Sequence, residues 1–139
     1  MVSVEKIADK LRRLEEFLTI LEGMRDISFE EFLKDKIVIG SSKYYLQVSI
    51  ECCLDIANHI IAAERYRAPR DYADSFGVLE EQGIVSPELG VKLRQMAKFR
   101  NRLVHLYGEI DDAYVHSFIH KDLNDFHTFK SVIAAKYFQ

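Results

Sequence analysis

Residues 86–108, SPELGVKLRQMAKFRNRLVHLYG, decide the fold. Ser86 is a helix cap, Pro87 suits the first helical position and Glu88 complements the helix dipole. Gly108 is the expected end. Taking about 100° per residue, Leu89, Leu93, Met96, Leu103, Val104 and Tyr107 fall within roughly 60° of Arg100. The arginine therefore lies in the middle of the apolar stripe. A guanidinium keeps its proton in any protein, and burying it unpaired is costly. Something must meet Arg100 there. His105 lies roughly 140° around the helix from it, and Asn101 shares a face with His105.

Working outward, the same helical period recurs in nearly every segment. Ile7, Leu11, Leu14, Leu18 and Leu21 define a helix over about 3–22, with Gly23 just beyond it. Ser28 followed by Glu31 forms a capping box for a short helix over 29–34. The apolar Ile37-Val38-Ile39 has the look of a strand, but no partner strand exists anywhere in the chain. Leu46, Ile50, Cys53, Leu54, Ala57, Ile60 and Ile61 carry a long helix over roughly 42–65. Pro69 and Asp71 open a shorter helix that Gly83 closes. Asp111 and Asp112 start a last helix running to about 137. Five or six helices with short connections predict an all-α antiparallel bundle, with 1–139 as one domain.

Composition narrows the function classes. The 139 residues are 48% hydrophobic, enough for a real core, and 6 Gly with 2 Pro leave little room for linkers. No run of 18 apolar residues and no leader-like segment is evident, so the expectation is a cytoplasmic protein without membrane contact. Cys52 and Cys53 are neighbours on a helix, where side chains diverge, and read as reduced core thiols. The net charge of −3 argues against a general polyanion binder. Yet Lys92, Arg94, Lys98, Arg100 and Arg102 fall between 91 and 106 with no acid among them. Such a strip can guide a phosphate chain to one place, although an ordinary solvated helix face has the same appearance.

The pattern R-x4-H-x-Y within Arg100–Tyr107, RNRLVHLY, resembles the signature of HEPN-domain ribonucleases, in particular the HepT toxins of two-gene toxin–antitoxin modules. The resemblance covers 28 to about 129. It runs from Ser-Phe-Glu-Glu-Phe at 28–32, through IECCLDIANHII at 50–61 and SFGVLEEQGI at 75–84, to the motif helix. It implies a HEPN-like fold, metal-independent endoribonuclease activity, no cofactor, and a homodimer with a composite site. It also implies that a nearby gene encodes a partner, an MntA-type minimal nucleotidyltransferase antitoxin.

The chemistry suits those residues. Metal-free RNA cleavage needs a base for the 2′-hydroxyl proton, an acid for the leaving 5′-oxygen and a cation for the charge developing on phosphorus-bound oxygens. A histidine, with an ordinary pKa near ~6.5, can take either proton role, and an arginine can clamp phosphate. One helix offers one such histidine, so two copies packed across a twofold axis would bring both His105 and both Arg100 into one cleft. That packing would also cover the arginine-bearing stripe. Asn101 is placed to orient His105 or the phosphate, and Arg102, Lys98 and Arg94 to track the RNA backbone. Tyr107, about 20° from Arg100 and two turns along, reads either as a half-buried core tyrosine or, by the resemblance, as the AMP acceptor.

Glu51, Asp55 and His59 recur at four-residue intervals. An acid there could pair with Arg100 or orient His105, though a solvated face is an equal reading. His116, His120 and His127 share a helix face, but about 16 Å between His116 and His127 is too far for one ion, so no metal is expected. Gly40-Ser41-Ser42 is similar to the Gly-Ser start of nucleotidyltransferases but lacks the carboxylate pair they require. The competing functions are a non-catalytic helical module that binds nucleotide or accompanies a nucleotidyltransferase, and a purely structural helical dimer.

Overall fold

Six side-chain caps set the helix starts. Ser3, Ser28, Asp35, Asp71, Ser86 and Asp111 each accept a backbone N–H from the first turn that follows. A computed structural model describes residues 1–138. Its helices are α1 (Val4–Gly23), α2 (Phe29–Lys34), α3 (Lys36–Ala63), α4 (Tyr72–Glu81), α5 (Pro87–His105), α6 (Asp112–Lys121) and α7 (Asn124–Tyr137). No strand occurs among the described residues. The all-α reading holds, with three changes of boundary.

Ile37, Val38 and Ile39 are helical. Asp35 accepts from both Ile37 N and Val38 N at 3.1 Å, so α3 begins six residues earlier than the apolar period alone suggests. The last helix is two: Asp122 and Leu123 interrupt it, which lets α7 turn back over the core. The motif helix stops at His105, short of Gly108. Leu106 leaves helical geometry at φ −130° and ψ 37°, and residues Tyr107–Glu109 form a separate 3-10 turn.

α3 is the axis of the molecule. It is long and apolar enough to cross a membrane by length and composition. Here those side chains, from Ile39 to Ile61, are buried against α1 on one side and α4 and α5 on the other. One continuous core draws on all seven helices, with Leu46, Ile50, Phe76, Leu93, Val115, Phe126 and Phe129 inaccessible to solvent. Phe76 and Phe129 meet edge to face at 6.0 Å and join α4 to α7. Gly90 leaves room for the Glu80 carboxylate that pairs with Arg94, because a Cβ there would lie 2.1 Å from it. Gly83 closes α4 at φ +73°.

Cys52 and Cys53 are unpaired and buried. Burial pushes the Cys52 thiol up to about 11 and Cys53 well above its usual value, which makes both poor nucleophiles. The histidines of α6 and α7 dock the C-terminal helices. His120 ring nitrogens lie 2.8 Å from the His116 carbonyl and 2.9 Å from the Arg25 carbonyl, while His127 meets Glu22. Among the described residues no group of three or more His, Cys, Asp or Glu side chains could hold a metal ion.

His59 has a structural duty too. Its Nε2 accepts from Ser3 N at 2.8 Å, which requires that nitrogen to be unprotonated. Burial, with help from Lys6 and the amino terminus, lowers its pKa below the ordinary value. The unfolded chain therefore takes up this proton at higher pH than the folded one. The contact's contribution is complete above about pH 6.5 and declines as the pH falls below it. Urea midpoints measured between pH 7 and pH 5 should drop more for the wild type than for His59→Gln. Separately, Phe76→Ala should destabilise by about 3–5 kcal/mol through the cavity it leaves, as read by urea unfolding.

Candidate active site

The arginine in the apolar stripe is met from within the chain. Glu51, on α3, accepts a hydrogen bond from Arg100 Nε through its Oε2 at 2.9 Å, and the same oxygen forms an ion pair with Nη2 at 2.9 Å. Arg100 Nη1 donates to Asn101 Oδ1 at 3.2 Å. The guanidinium carbon lies 4.9 Å from the centroid of the Tyr72 ring, at the start of α4. Its side chain is left 17% exposed. Three helices thus hold one cation in a fixed pose, with part of its fork open to a cleft lined by Glu51, Leu54, Asp55, Asn58, Tyr72 and Arg100.

This corrects one expectation. A second copy of the chain is not needed to satisfy Arg100, because Glu51 does so. Of the two readings open for Glu51, pairing with Arg100 is the one seen. Asp55 lines the same cleft, but its Oδ2 is held by Lys10 of α1 at 2.9 Å. Asn101 contacts the arginine rather than His105.

His105 is the last residue of α5 and is exposed, with no hydrogen bond or ion pair to any described residue. Its imidazole faces solvent. Lys98 and Arg102 are exposed on the same helix. Arg94 is not available in the same way: it donates a short hydrogen bond to Glu80 on α4. Lys92 pairs with Asp125 at 3.4 Å. The basic strip is therefore narrower than the sequence suggests.

Tyr107 is neither a core residue nor a neighbour of Arg100 along a helix face. The end of α5 at His105 carries it into the 3-10 turn, where it is 48% exposed. Its ring lies 4.6 Å from Lys43 Nζ. Lys43 is 7% exposed and forms an ion pair with Asp112 at 3.0 Å. The phenol oxygen stands over Gly40, 3.8 Å from where a Cβ would be. Sequence reading missed Lys43 and Tyr72. Lys43 had a visible signal, since it interrupts the buried series Ile39, Leu46, Ile50 as Arg100 interrupts its own. Tyr72 had none, because only the packing of α4 on α5 brings its ring to Arg100.

The chain resembles known proteins over nearly its whole length. A model of the family described as HepT-like, Ribonuclease HepT-like, matches residues 7–133. The chain belongs to the HepT-like ribonuclease family. An mRNA nuclease HepT from Shewanella oneidensis is 30% identical over 136 residues, covering 97% of this chain and 98% of that protein. A tRNA nuclease HepT from Aphanizomenon flos-aquae is 27% identical over 111 residues, 78% of this chain and 74% of that one. The solved structure of a tri-AMPylated Shewanella oneidensis HEPN toxin in complex with MNT antitoxin matches with a TM-score of 0.88 at 28% identity. It covers 96% of this chain and 99% of the other. The HEPN-like helical fold of this HepT-like chain thus extends over nearly its whole length.

The pairing makes a stability prediction. Glu51→Ala leaves a mostly buried guanidinium without its acid and should cost about 1–2 kcal/mol, discounted for the solvent that still reaches the pair. Glu51→Gln, which keeps an acceptor oxygen, should cost less. Chemical denaturation of the two variants side by side would show whether the ion pair or only its hydrogen bonds matter.

Proposed function

We propose that this chain is a metal-independent endoribonuclease, the toxin of a HepT/MntA-type toxin–antitoxin module, acting as a homodimer with a composite site. The observation that carries this reading is the contrast along α5. Arg100 is held rigid by Glu51, Asn101 and Tyr72, while His105 is solvent-facing and unpartnered. A fixed cation and a free imidazole are what phosphodiester cleavage needs and what a structural bundle does not. Unpaired Cys52 and Cys53 accord with a cytoplasmic location.

In the proposed reaction one His105 removes the proton from a ribose 2′-hydroxyl. The 2′-oxygen then bonds to the adjacent phosphorus as the bond to the 5′-oxygen breaks. The second His105, from the partner copy, delivers a proton to that leaving oxygen. Arg100 stabilises the charge on the non-bridging oxygens. Lys98 and Arg102 guide the flanking phosphates. The products are a 2′,3′-cyclic phosphate and a free 5′-hydroxyl.

Exposed apolar side chains support the dimer. Ile37 and Tyr44 on α3 flank Gly40, over which Tyr107 stands, and Val104 and Leu106 lie at the end of α5. Together they form an apolar face beside His105 of the kind that two copies can cover. Tyr107 belongs to the same face. Its half-exposed phenol is accessible to a nucleotidyltransferase antitoxin, and an adenylyl group there would put a bulky anion where RNA and the second copy meet. The relatives' nuclease names and the AMPylated toxin complex support this assignment.

His105→Ala should abolish cleavage of RNA in the presence of a chelator, without loss of helical content. Retained activity in that variant, or full loss of wild-type activity on chelation, would contradict the mechanism. Sedimentation at micromolar concentration should give twice the chain mass. Tyr107→Phe should still cut RNA but gain no adenylyl mass when produced with the antitoxin and ATP. Modification confined to another tyrosine would remove Tyr107 from this role.

A further inference from the structure

A recess of about 390 Å³ opens beside the Arg100 cleft, lined by Asn58, Pro69, Asp71, Tyr72, Ser75 and Asn101. Asn58 and Tyr72 line both cavities, so the two are contiguous and Tyr72 forms their common wall. Arg100 lies over the Tyr72 ring within the cleft. The amide groups of the recess are oriented by their oxygens. Asn58 Oδ1 accepts from Ser75 Oγ at 2.7 Å, and Asn101 Oδ1 accepts from Arg100 Nη1. Each therefore presents an NH2 group with no partner among the described residues. Asp71 uses Oδ1 to cap α4, accepting from Asp74 N at 2.7 Å, which leaves Oδ2 free at the rim.

The recess is also rigid. Arg67 donates to Asp74 at 2.7 Å and to Glu81 at 2.7 Å, and Arg70 N donates to Asp74 at 2.9 Å. These contacts fasten the segment carrying Pro69 and Asp71 onto α4, so the wall is set before any ligand arrives.

We propose that this recess is a nucleobase subsite, which holds the base next to the phosphate gripped by Arg100 and sets the cleavage preference. The inference rests on the ribonuclease reading above. An exposed aromatic ring stacks an unpaired base, as single-stranded RNA is held elsewhere. The two amides donate to ring-nitrogen and carbonyl acceptors along the base edge. The free oxygen of Asp71 accepts from an exocyclic amino group, which cytosine, adenine and guanine carry and uracil lacks. A base with an amino group is therefore favoured over uracil.

The test measures binding apart from cleavage. The full chain is titrated with 3′-CMP, 3′-AMP and 3′-UMP, and the first two should bind several-fold more tightly than the third. Tyr72→Ala should weaken 3′-CMP binding by roughly tenfold, and Tyr72→Phe should restore it. Asp71→Asn keeps a good helix cap but replaces the acceptor by a donor, so it should shift preference toward 3′-UMP. Equal binding of the three nucleotides, or indifference to both Tyr72→Ala and Asp71→Asn, would overturn the proposal. RNA cleavage whose base preference ignores Asp71→Asn would keep the nuclease and remove the subsite. Nucleotide binding that follows these variants in a chain unable to cut RNA would keep the recess and remove the nuclease.

Discussion

The ion pair between Arg100 and Glu51 is the constraint on which the site depends. It joins α5 to α3. An arginine in an apolar stripe would ordinarily be a liability, because its charge cannot be neutralised by losing a proton. With a carboxylate on two of its nitrogens, an amide on the third and an aromatic ring alongside, it is held in one pose. A fixed cation can meet a developing negative charge without reorganising first.

The rest of the architecture serves that pose. α3 must be long, since it carries Glu51 and Asn58 to the cleft and Lys43 to the opposite end, under Tyr107. α4 must lie close on α5, or Tyr72 would not reach the guanidinium. The early end of α5 separates two duties that a continuous helix would have placed on adjoining faces. His105 closes the helix as a free group, and Tyr107 is turned onto α3. Lys43 repeats the logic of Arg100: a buried cation, paired with an acid and set against an aromatic ring.

Much of this was legible in the chain. Periodicity and caps located the helices because both are local properties: a Ser, Asp or Asn cap needs only the next turn, and an apolar stripe needs only its own helix. Local reading failed where two local signals compete and where no signal marks the break. Ile37-Val38-Ile39 carry strand-favouring side chains, and the cap at Asp35 prevails. Gly108 offers a stop, but the backbone leaves the helix at Leu106, where no sequence signal stands.

What the sequence by itself determined is the helical class, the position of a charged residue in an apolar stripe and the resemblance to a ribonuclease family. What only the tertiary structure decided is who meets whom. Glu51 rather than Asp55 takes Arg100, Asn101 turns to the arginine, Arg94 is withdrawn by Glu80, and Tyr107 finds Lys43. The physical reason is that helix periodicity fixes directions around one axis only. Which acid lies opposite a given cation depends on the crossing angle, register and breaks of two helices together, and these follow from core packing contributed by all seven.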